Sequence, residues 1–319
     1  MIEMRRALLV GIDDYPASPL AGCVNDAKAM AMMLSRNDDD SPNFDCKPLL
    51  STDETVTRAL LLENISELLA TKGDVALLYF AGHGLANNLD GFLVTTDAAK
   101  HEEGVAFAQV LTLANNSDPS MEVVILLDSC QSGAMGDIPA IGNVLANIRE
   151  GVTILTASRS TENASERNGH GVFTSIVLGA LGGGAADVLG KVTIPAVYSY
   201  ADEALGPWEQ RPLMKAHVSK LVPIRYASPA IDLGVLRKFP EWFPDEDSEF
   251  PLDPSFEPTE EPNHPENEAI FDQLQKCRAT KLVEPVGEEH MYFAALKSKS
   301  CRLTPLGQKY WRQAKDNRI

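Results

Sequence analysis

Two apolar runs of strand length dominate the hydrophobic pattern of this chain of 319 residues, and each ends abruptly in small residues around one reactive side chain. The first run, residues 74–84, is Asp-Val-Ala-Leu-Leu-Tyr-Phe-Ala-Gly-His-Gly, and the second, residues 122–133, is Glu-Val-Val-Ile-Leu-Leu-Asp-Ser-Cys-Gln-Ser-Gly. Continuous apolar runs are typical of strands buried on both faces of a parallel sheet. Because ligands bind beyond the carboxyl ends of such strands, the pattern predicts that His83 and Cys130 lie together at one edge of a sheet.

Strand-like and helix-like segments alternate through the first two thirds of the chain. The predicted strands are 6–12, 44–50, 74–81, 122–129, 152–158 and 213–218. The predicted helices are 24–36, 55–71, 104–116, 171–182 and 194–205. This alternation predicts an α/β sandwich with a mainly parallel sheet.

The composition changes sharply after the predicted α/β domain. Residues 241–268 contain eleven acidic residues, six prolines and no Lys or Arg, a composition that opposes compact structure. Residues 269–319 carry ten Lys or Arg against five Asp or Glu and are predicted to form a helix, a short strand, a helix and a last helix that starts at Thr304-Pro305. We therefore divide the chain into a domain at 1–225, an acidic linker at 226–268 and a small basic α+β domain at 269–319.

Charge and cysteine content narrow the class of protein. A hydrophobic content of 44% and a charged content of 23% are ordinary for a soluble globular protein, and no run approaches the ~20 apolar residues of a membrane span. The net charge of −17 argues against nonspecific binding to nucleic acid or anionic lipid. Five cysteines at unrelated spacings and a start too short for a signal peptide favour a reducing cytoplasm.

The chemistry expected at the sheet edge is that of an activated thiol. A cysteine becomes a good nucleophile when an imidazole within hydrogen-bond reach removes its proton, as His83 is expected to do for Cys130. The amide N–H groups of Gly84 and Cys130 are candidate donors to the oxyanion of a tetrahedral intermediate. A lone His or Cys after a strand is usually structural, but both together favour catalysis. Cys46, Cys277 and Cys301 are expected to be structural, and no pair has the spacing of a zinc site.

These motifs resemble those of a known family. Phe80–Gly84 and Asp128–Gly133 are similar to the His and Cys motifs of the caspase-like peptidases, in the metacaspase and prokaryotic orthocaspase branch. Supporting similarities are Ala7–Ile12, Leu20–Ala27 and Gly169–Thr174. The resemblance implies a caspase-like three-layer sandwich around a six-stranded sheet, and a cysteine endopeptidase that acts on proteins or peptides.

The resemblance also implies a substrate preference. The metacaspase pocket for the residue before the scissile bond pairs two carboxylates, here Asp26 and Asp128, which would attract Arg or Lys and favour Arg. Ala81 stands where many metacaspases have Ser, and Ser158 lies in a polar loop, residues 157–166, that is similar to the family's substrate groove. Two alternatives remain open: Asp26 caps the helix that follows it, and Asp128 bonds loop amides.

No cofactor is expected, with one exception. Metacaspases often need calcium, and Asp97 and Asp137 are the candidate ligands, although the sequence lacks an adjacent Asp pair and hard cations want six or more oxygens. Arg149, between two predicted strands, is a candidate point of self-processing.

The C-terminal segment suggests regulation. Phe293–Leu296 and Arg302–Gly307 resemble the wing and last helix of a winged-helix module, whose basic surface would meet nucleic acid, a nucleotide signal or the acidic segment. Because the rest of the chain is acidic, we favour an activating protein or small molecule over DNA. Prokaryotic proteins of similar layout act in antiphage signalling, which implies a regulated effector of antiviral or stress-induced cell death. The alternative function is a caspase-fold adaptor or signalling-ligand-binding protein without proteolysis.

Overall fold

A computed structural model describes residues 3–86, 90–99, 102–129, 148–157, 166–167, 170–205 and 212–319. The chain forms two units, one of residues 1–186 and 191–228 and the other of residues 187–190 and 229–319. In the part of the chain that is described, no helix combines the length and the apolar composition needed to cross a membrane.

The first unit alternates strands and helices as the hydrophobic pattern predicts. Its strands are β1 (Arg5–Gly11), β2 (Asp45–Leu50), β3 (Val75–Gly82), β4 (Gly84–Ala86), β5 (Gly91–Ala99), β6 (Glu102–Ala106), β7 (Glu122–Ser129), β8 (Val152–Thr156), β9 (Glu166–Arg167), β10 (His170–Gly171), β11 (Lys191–Val192), β12 (Leu213–His217) and β13 (Arg225–Tyr226). Its helices are α1 (Cys23–Ser35), α2 (Arg58–Ala70), α3 (Phe107–Asn116), α4 (Val172–Gly179) and α5 (Ile194–Ala204), with a π-helical turn at Ala180–Gly184.

The central sheet has six strands in the order β12-β8-β7-β3-β1-β2. All neighbours are parallel except β12, which runs antiparallel to β8. Alternate side chains of β3 enter two separate cores, Leu78 and Phe80 with α2 and α3 on one face, Leu77 and Tyr79 with α1, α4 and α5 on the other. The predicted three-layer α/β sandwich with a mainly parallel six-stranded sheet is confirmed.

A small antiparallel sheet, β4-β5-β6, was not predicted. The helix predicted at residues 104–116 begins only at Phe107, because residues 102–106 pair with β5. Gly104 permits this pairing: its φ of 144° favours glycine, and a Cβ there would collide with the carbonyl oxygen of Leu93. Pairing with β5 therefore decides the conformation of residues 104–106, which the sequence pattern had assigned to the helix.

The second unit corrects the predicted division of the chain. Its elements are α6 (Leu233–Arg237), α7 (Phe239–Trp242), β14 (Glu249–Pro251), a 3₁₀ turn (Pro254–Phe256), α8 (Pro265–Ala279), β15 (Val283–Val286), α9 (Met291–Leu296), β16 (Ser300–Leu303) and α10 (Pro305–Lys315). Residues 226–268, predicted as a linker, instead contribute Phe239, Phe243 and Phe256 to the core around Phe271. The buried aromatic side chains outweigh the repulsion among the acidic residues, which lie at or near the surface except for the buried Glu257.

Two finer predictions about the second unit have different outcomes. Thr304 caps α10 as predicted, since its hydroxyl oxygen accepts a hydrogen bond from the Gly307 amide at 3.2 Å. Residues 293–296, predicted as part of a wing, belong instead to α9. The sheet of this unit has the order β14-β16-β15, so the unit is α+β as expected.

Candidate active site

The carboxyl ends of β3 and β7 finish side by side. Gly82 pairs with Ser129 and Ala81 with Asp128, so the residues that next follow these strands in sequence are His83 and Cys130. Cys130, Ser158 and Asp137 lie outside the described residues. The predicted site residues that the structure does describe are His83, Gly84, Ala81, Asp26, Asp128 and Asp97.

One ring nitrogen of His83 is held by the main chain. Nε2 lies 2.7 Å from the carbonyl oxygen of Ser18. Because a carbonyl only accepts, Nε2 carries the hydrogen of the neutral imidazole, and Nδ1 keeps the lone pair that can accept a proton. The Ser18 carbonyl thus orients the imidazole as the third member of a catalytic triad does.

Tyr15 holds His83 from a second direction, and the sequence analysis missed it. Its ring lies 4.5 Å from the imidazole, and its hydroxyl oxygen accepts the His83 amide at 3.0 Å while donating to the Val94 carbonyl at 3.1 Å. The hydroxyl comes so close to Gly82 that a Cβ there would collide with it. Burial raises the pKa of Tyr15 far above its usual value, so the phenol stays a neutral donor. The available signal was that Tyr15 follows β1, whose carboxyl end lies at the same edge.

The amide of Gly84 points away from its partner strand. Gly84 pairs with Leu93, and the Val94 amide donates to the His83 carbonyl at 3.0 Å. In an antiparallel pair this pattern makes Gly84 and Leu93 a non-hydrogen-bonded pair, whose N–H groups face outward. The Gly84 N–H is therefore directed off the β4–β5 ladder, as an oxyanion donor must be.

The two predicted pocket carboxylates converge on one residue. Asp26, in the first turn of α1, is 2% exposed, and its Oδ2 accepts the Gly171 amide at 3.0 Å. Asp128, at the end of β7, accepts the amide and the hydroxyl of Thr174 at 3.2 and 2.5 Å. A Cβ on Gly171 would lie 2.8 Å from Oδ2 of Asp128 and 3.1 Å from Oδ2 of Asp26. The structure thus brings Asp26 and Asp128 together, next to Ala81.

Asp128 is held in a setting that disfavours its charge. Burial, with the negative charge of Asp26 adding to it, raises the pKa of Asp128 to about 6, although the hydrogen bonds from Thr174 oppose the shift. A carboxylate in that state gains from an incoming cation, which restores the stabilisation that water would supply.

The helix-cap alternative for Asp26 is wrong. Asp13 caps α1, because its carboxylate oxygens accept the amides of Cys23 and Val24 at 2.9 and 3.2 Å. For Asp128, the amide donor among the described residues is that of Thr174, which lies in the first turn of α4 and is therefore not the loop amide that the alternative expected. Burial raises the pKa of the Cys23 thiol far above its usual value, with Asp13 adding to the effect, so Cys23 is no rival nucleophile.

Arg149 and Asp97 are used in other ways. The Arg149 side chain donates to the Ala114 and Met121 carbonyls at 3.0 and 2.8 Å and to the Ser117 hydroxyl at 2.7 Å, so the predicted processing point is a half-buried structural anchor. Asp97 accepts the Arg58 amide at 2.9 Å, beside the start of α2. Among the described residues, no three His, Cys, Asp or Glu side chains lie close enough to hold a metal ion.

Comparisons with known proteins agree with this architecture. The family model for the caspase domain matches residues 4–222. Metacaspase-1 of Meyerozyma guilliermondii is 27% identical over 163 residues, which cover 46% of this chain and 39% of that protein. Metacaspase-1B of Aspergillus oryzae is 27% identical over 206 residues, covering 56% of this chain and 46% of that protein. The chain thus spans less than half the length of either relative.

Among solved structures, protein GSU0716 from Geobacter sulfurreducens is similar in fold. It has a TM-score of 0.53 at 15% sequence identity, and the match covers 70% of this chain and all of that one. At this identity the likeness concerns the fold alone.

Proposed function

The chain belongs to the caspase domain family, and from that premise we propose that it is a cysteine endopeptidase that cleaves after arginine and, more slowly, after lysine. In this proposal His83 is the general base and Cys130 the nucleophile. The observation that carries the proposal is the convergence of Asp26 and Asp128 at Gly171, beside the strand end that His83 follows.

The reaction follows from the donors and acceptors around His83. Nδ1 takes the proton of the Cys130 thiol, while Nε2–H remains bonded to the Ser18 carbonyl. The thiolate attacks the scissile carbonyl carbon, and the amides of Gly84 and Cys130 bind the resulting oxyanion, each such donor being worth roughly 3–4 kcal/mol. The imidazolium then gives its proton to the leaving amine, and an acyl-thioester forms. Water, activated by the same nitrogen, hydrolyses the thioester and frees Cys130.

Specificity follows from the charge of the pocket. A planar guanidinium presents several N–H donors in a rigid fork and can bond both carboxylates, whereas an ammonium is a compact point charge. An aspartate side chain would instead meet Asp26 and Asp128 as a like charge, which costs several kcal/mol. We therefore expect the order Arg, then Lys, with no cleavage after Asp.

The test is a panel of fluorogenic peptides that differ only in the last residue, Arg, Lys, citrulline or Asp. The purified full chain is assayed with calcium and with chelator, alongside a Cys130→Ala control. We expect release after Arg to exceed release after uncharged citrulline by at least about 100-fold, as loss of a desolvated charge pair implies. Faster release after Asp than after Arg would contradict the proposal, and activity retained by Cys130→Ala would favour the adaptor.

The proposal extends to regulation and location. The second unit, with its own core, is the candidate receiver of an activating protein or small molecule in antiviral or stress-induced signalling. The four cysteines that the structure describes are unpaired, which supports a reducing cytoplasm. Reporter cleavage by the full chain, with and without extract of stressed or phage-infected cells, tests the regulation. An unchanged rate with every extract would contradict it.

A further inference from the structure

A buried chain of hydroxyl groups leads from the core of the first unit to the carboxylate of Asp128. The phenol oxygen of Tyr79 lies 2.5 Å from the hydroxyl oxygen of Thr174, which lies 2.5 Å from Oδ2 of Asp128. Both Tyr79 and Thr174 are fully buried, at 0% exposure. No water therefore competes for these two hydrogen bonds.

The direction of this chain is set by the number of hydrogens. A threonine hydroxyl has one hydrogen, and an ionised carboxylate can only accept, so Thr174 must donate to Asp128. The remaining contact then requires Tyr79 to donate to Thr174. Burial, with the charges of Asp128 and Asp26 adding to it, raises the pKa of Tyr79 well above its usual value, so the phenol keeps its proton.

The hydrogen bonds leave one carboxylate oxygen available. The hydroxyl and the amide of Thr174 both end on Oδ2 of Asp128, and Oδ1 accepts no hydrogen bond from the residues that the structure describes. Two donors on one oxygen prevent the carboxylate from rotating about its Cβ–Cγ bond. Oδ1 therefore keeps a fixed position for a ligand.

The phenol group of Tyr79 has no evident purpose in packing. Its neighbours in the core are apolar, among them Leu77, Ala81 and Leu126, and phenylalanine would fill the same volume without a buried hydroxyl. Burial of a hydroxyl group destabilises the fold unless the group makes a hydrogen bond. The hydroxyl of Tyr79 makes its hydrogen bond to Thr174, which in turn bonds Asp128 of the pocket.

We propose that Tyr79 and Thr174 are positioning residues that hold the Asp128 carboxylate in one orientation, and that this orientation makes the pocket prefer arginine over lysine. A planar guanidinium needs acceptor oxygens at set positions, whereas an ammonium tolerates a carboxylate that rotates. The inference rests on the proposed function, since it concerns the pocket of that same reaction.

The test compares Tyr79→Phe and Thr174→Val with Thr174→Ser, which retains the hydroxyl. Tyr200→Phe, which removes a hydroxyl beside Gly179 in the same unit, is the matched control. We expect Tyr79→Phe to raise KM for the Arg reporter about fivefold and Thr174→Val about tenfold or more, with kcat within twofold. The Arg-to-Lys ratio of kcat/KM should fall by similar factors, while Thr174→Ser and Tyr200→Phe keep the ratio of the parent protein.

A binding measurement separates this inference from the proposed function. Calorimetric Kd values for Arg- and Lys-ending peptides are measured on full-length Cys130→Ala protein with and without Tyr79→Phe, so that no turnover is needed. A preference for the Arg peptide that Tyr79→Phe reduces supports the inference even where no reporter is cleaved. An unchanged preference, or an equal loss for both peptides together with a lower melting temperature, overturns it. Cleavage after Arg would still stand in that case.

Discussion

Each end of the strands of the central sheet, the amino edge and the carboxyl edge, holds a charged side chain that is largely removed from water. The two side chains differ in how fully the protein satisfies their hydrogen-bonding groups. At the amino edge, before β8, the Arg149 side chain reaches carbonyl and hydroxyl oxygens of Ala114, Ser117 and Met121. At the carboxyl edge, Asp128 receives two hydrogen bonds from the residues that the structure describes, both from Thr174 and both on the same oxygen.

The difference separates a charge that holds the fold from one that, under the proposed function, binds the substrate. A half-buried cation such as Arg149, whose donors end on protein oxygens, has few donors left for a ligand, and its hydrogen bonds contribute to stability instead. A buried carboxylate with an unused oxygen and a neighbouring carboxylate destabilises its own ionised form and gains when a cation arrives. Four variants and one pH profile test this comparison.

The largest expected effect is on the chemistry at the carboxyl edge. His83→Ala should lower kcat/KM for the Arg reporter about 10³-fold, because it removes the general base. The melting temperature should change little, since His83 is only half-buried. Stopped-flow or fluorimetric assay with a calorimetric scan of the same sample checks both parts. A loss below tenfold would mean that another group takes the proton.

Removal of the charge of Asp128 should separate activity from stability. Asp128→Asn should reduce kcat/KM for Arg about 100-fold, since one partner of a desolvated ion pair is lost. Folding should not weaken at pH 7: the folded pKa of about 6 lies above the unfolded value, so the stability contributed by Asp128 is fully present below about pH 4 and lost as pH rises through 6. Urea unfolding at pH 4 and pH 7 measures the difference. A variant less stable than the parent at pH 7 would contradict this account.

Arg149 should show the opposite pattern. Arg149→Met is expected to lower the free energy of unfolding by about 2–3 kcal/mol, because acceptors at the end of α3 lose their donors. Its kcat/KM for the Arg reporter should stay within twofold of the parent, measured at a temperature where both are folded. Mass spectrometry of the active protein should show no cut after Arg149, and a cut there would restore it as a processing point.

Acidification should weaken the binding of arginine in the pocket. The kcat/KM for Arg should fall about tenfold per pH unit below the pKa of Asp128, near 6, because the protonated carboxyl no longer pairs with guanidinium. Alkylation of Cys130 by iodoacetamide reports thiol ionisation alone and serves as the control. If kcat/KM of Asp128→Asn falls over the same acidic pH range as kcat/KM of the parent protein, the fall is caused by the protonation of another group.

The smallest expected effect concerns the cap of α1. Asp13→Ala should destabilise the protein by about 1 kcal/mol through loss of the bonds to Cys23 and Val24. Asp14→Ala, one residue away and exposed, is the matched control, and we expect it to change the free energy of unfolding by less than about 0.5 kcal/mol. Equal effects for the two variants would show that the cap contributes nothing.

Local patterns in the sequence were enough to predict much of the first unit. Continuous apolar runs identified β3 and β7, and the Gly-rich ends after them identified the edge at which His83 lies. The acidic segment misled the same reasoning, because composition averaged over 28 residues (241–268) conceals three aromatic side chains at core positions, Trp242, Phe243 and Phe256. Burial of a few large rings outweighs many exposed charges.

The groups that hold His83 and Asp128 carried little local signal, which for Tyr15 was only its position after β1. The Ser18 carbonyl that orients His83 is a main-chain group, identical in every residue type. Tyr15 and Thr174 became visible only when β1, β3 and α4 were placed together, because their partners lie far away in sequence.

The amino-acid sequence by itself determined the order of the main strands and helices of the first unit, the mainly parallel sheet and the two strand ends that His83 and Cys130 follow in sequence, since periodicity and strand ends are properties of neighbouring residues. Only the tertiary structure decided which oxygens of Asp26 and Asp128 meet at Gly171, which nitrogen of His83 stays basic, and that Arg149 is an anchor. Hydrogen-bond partners joined across the fold fix those choices, and the directions of such bonds exist only once the chain has folded.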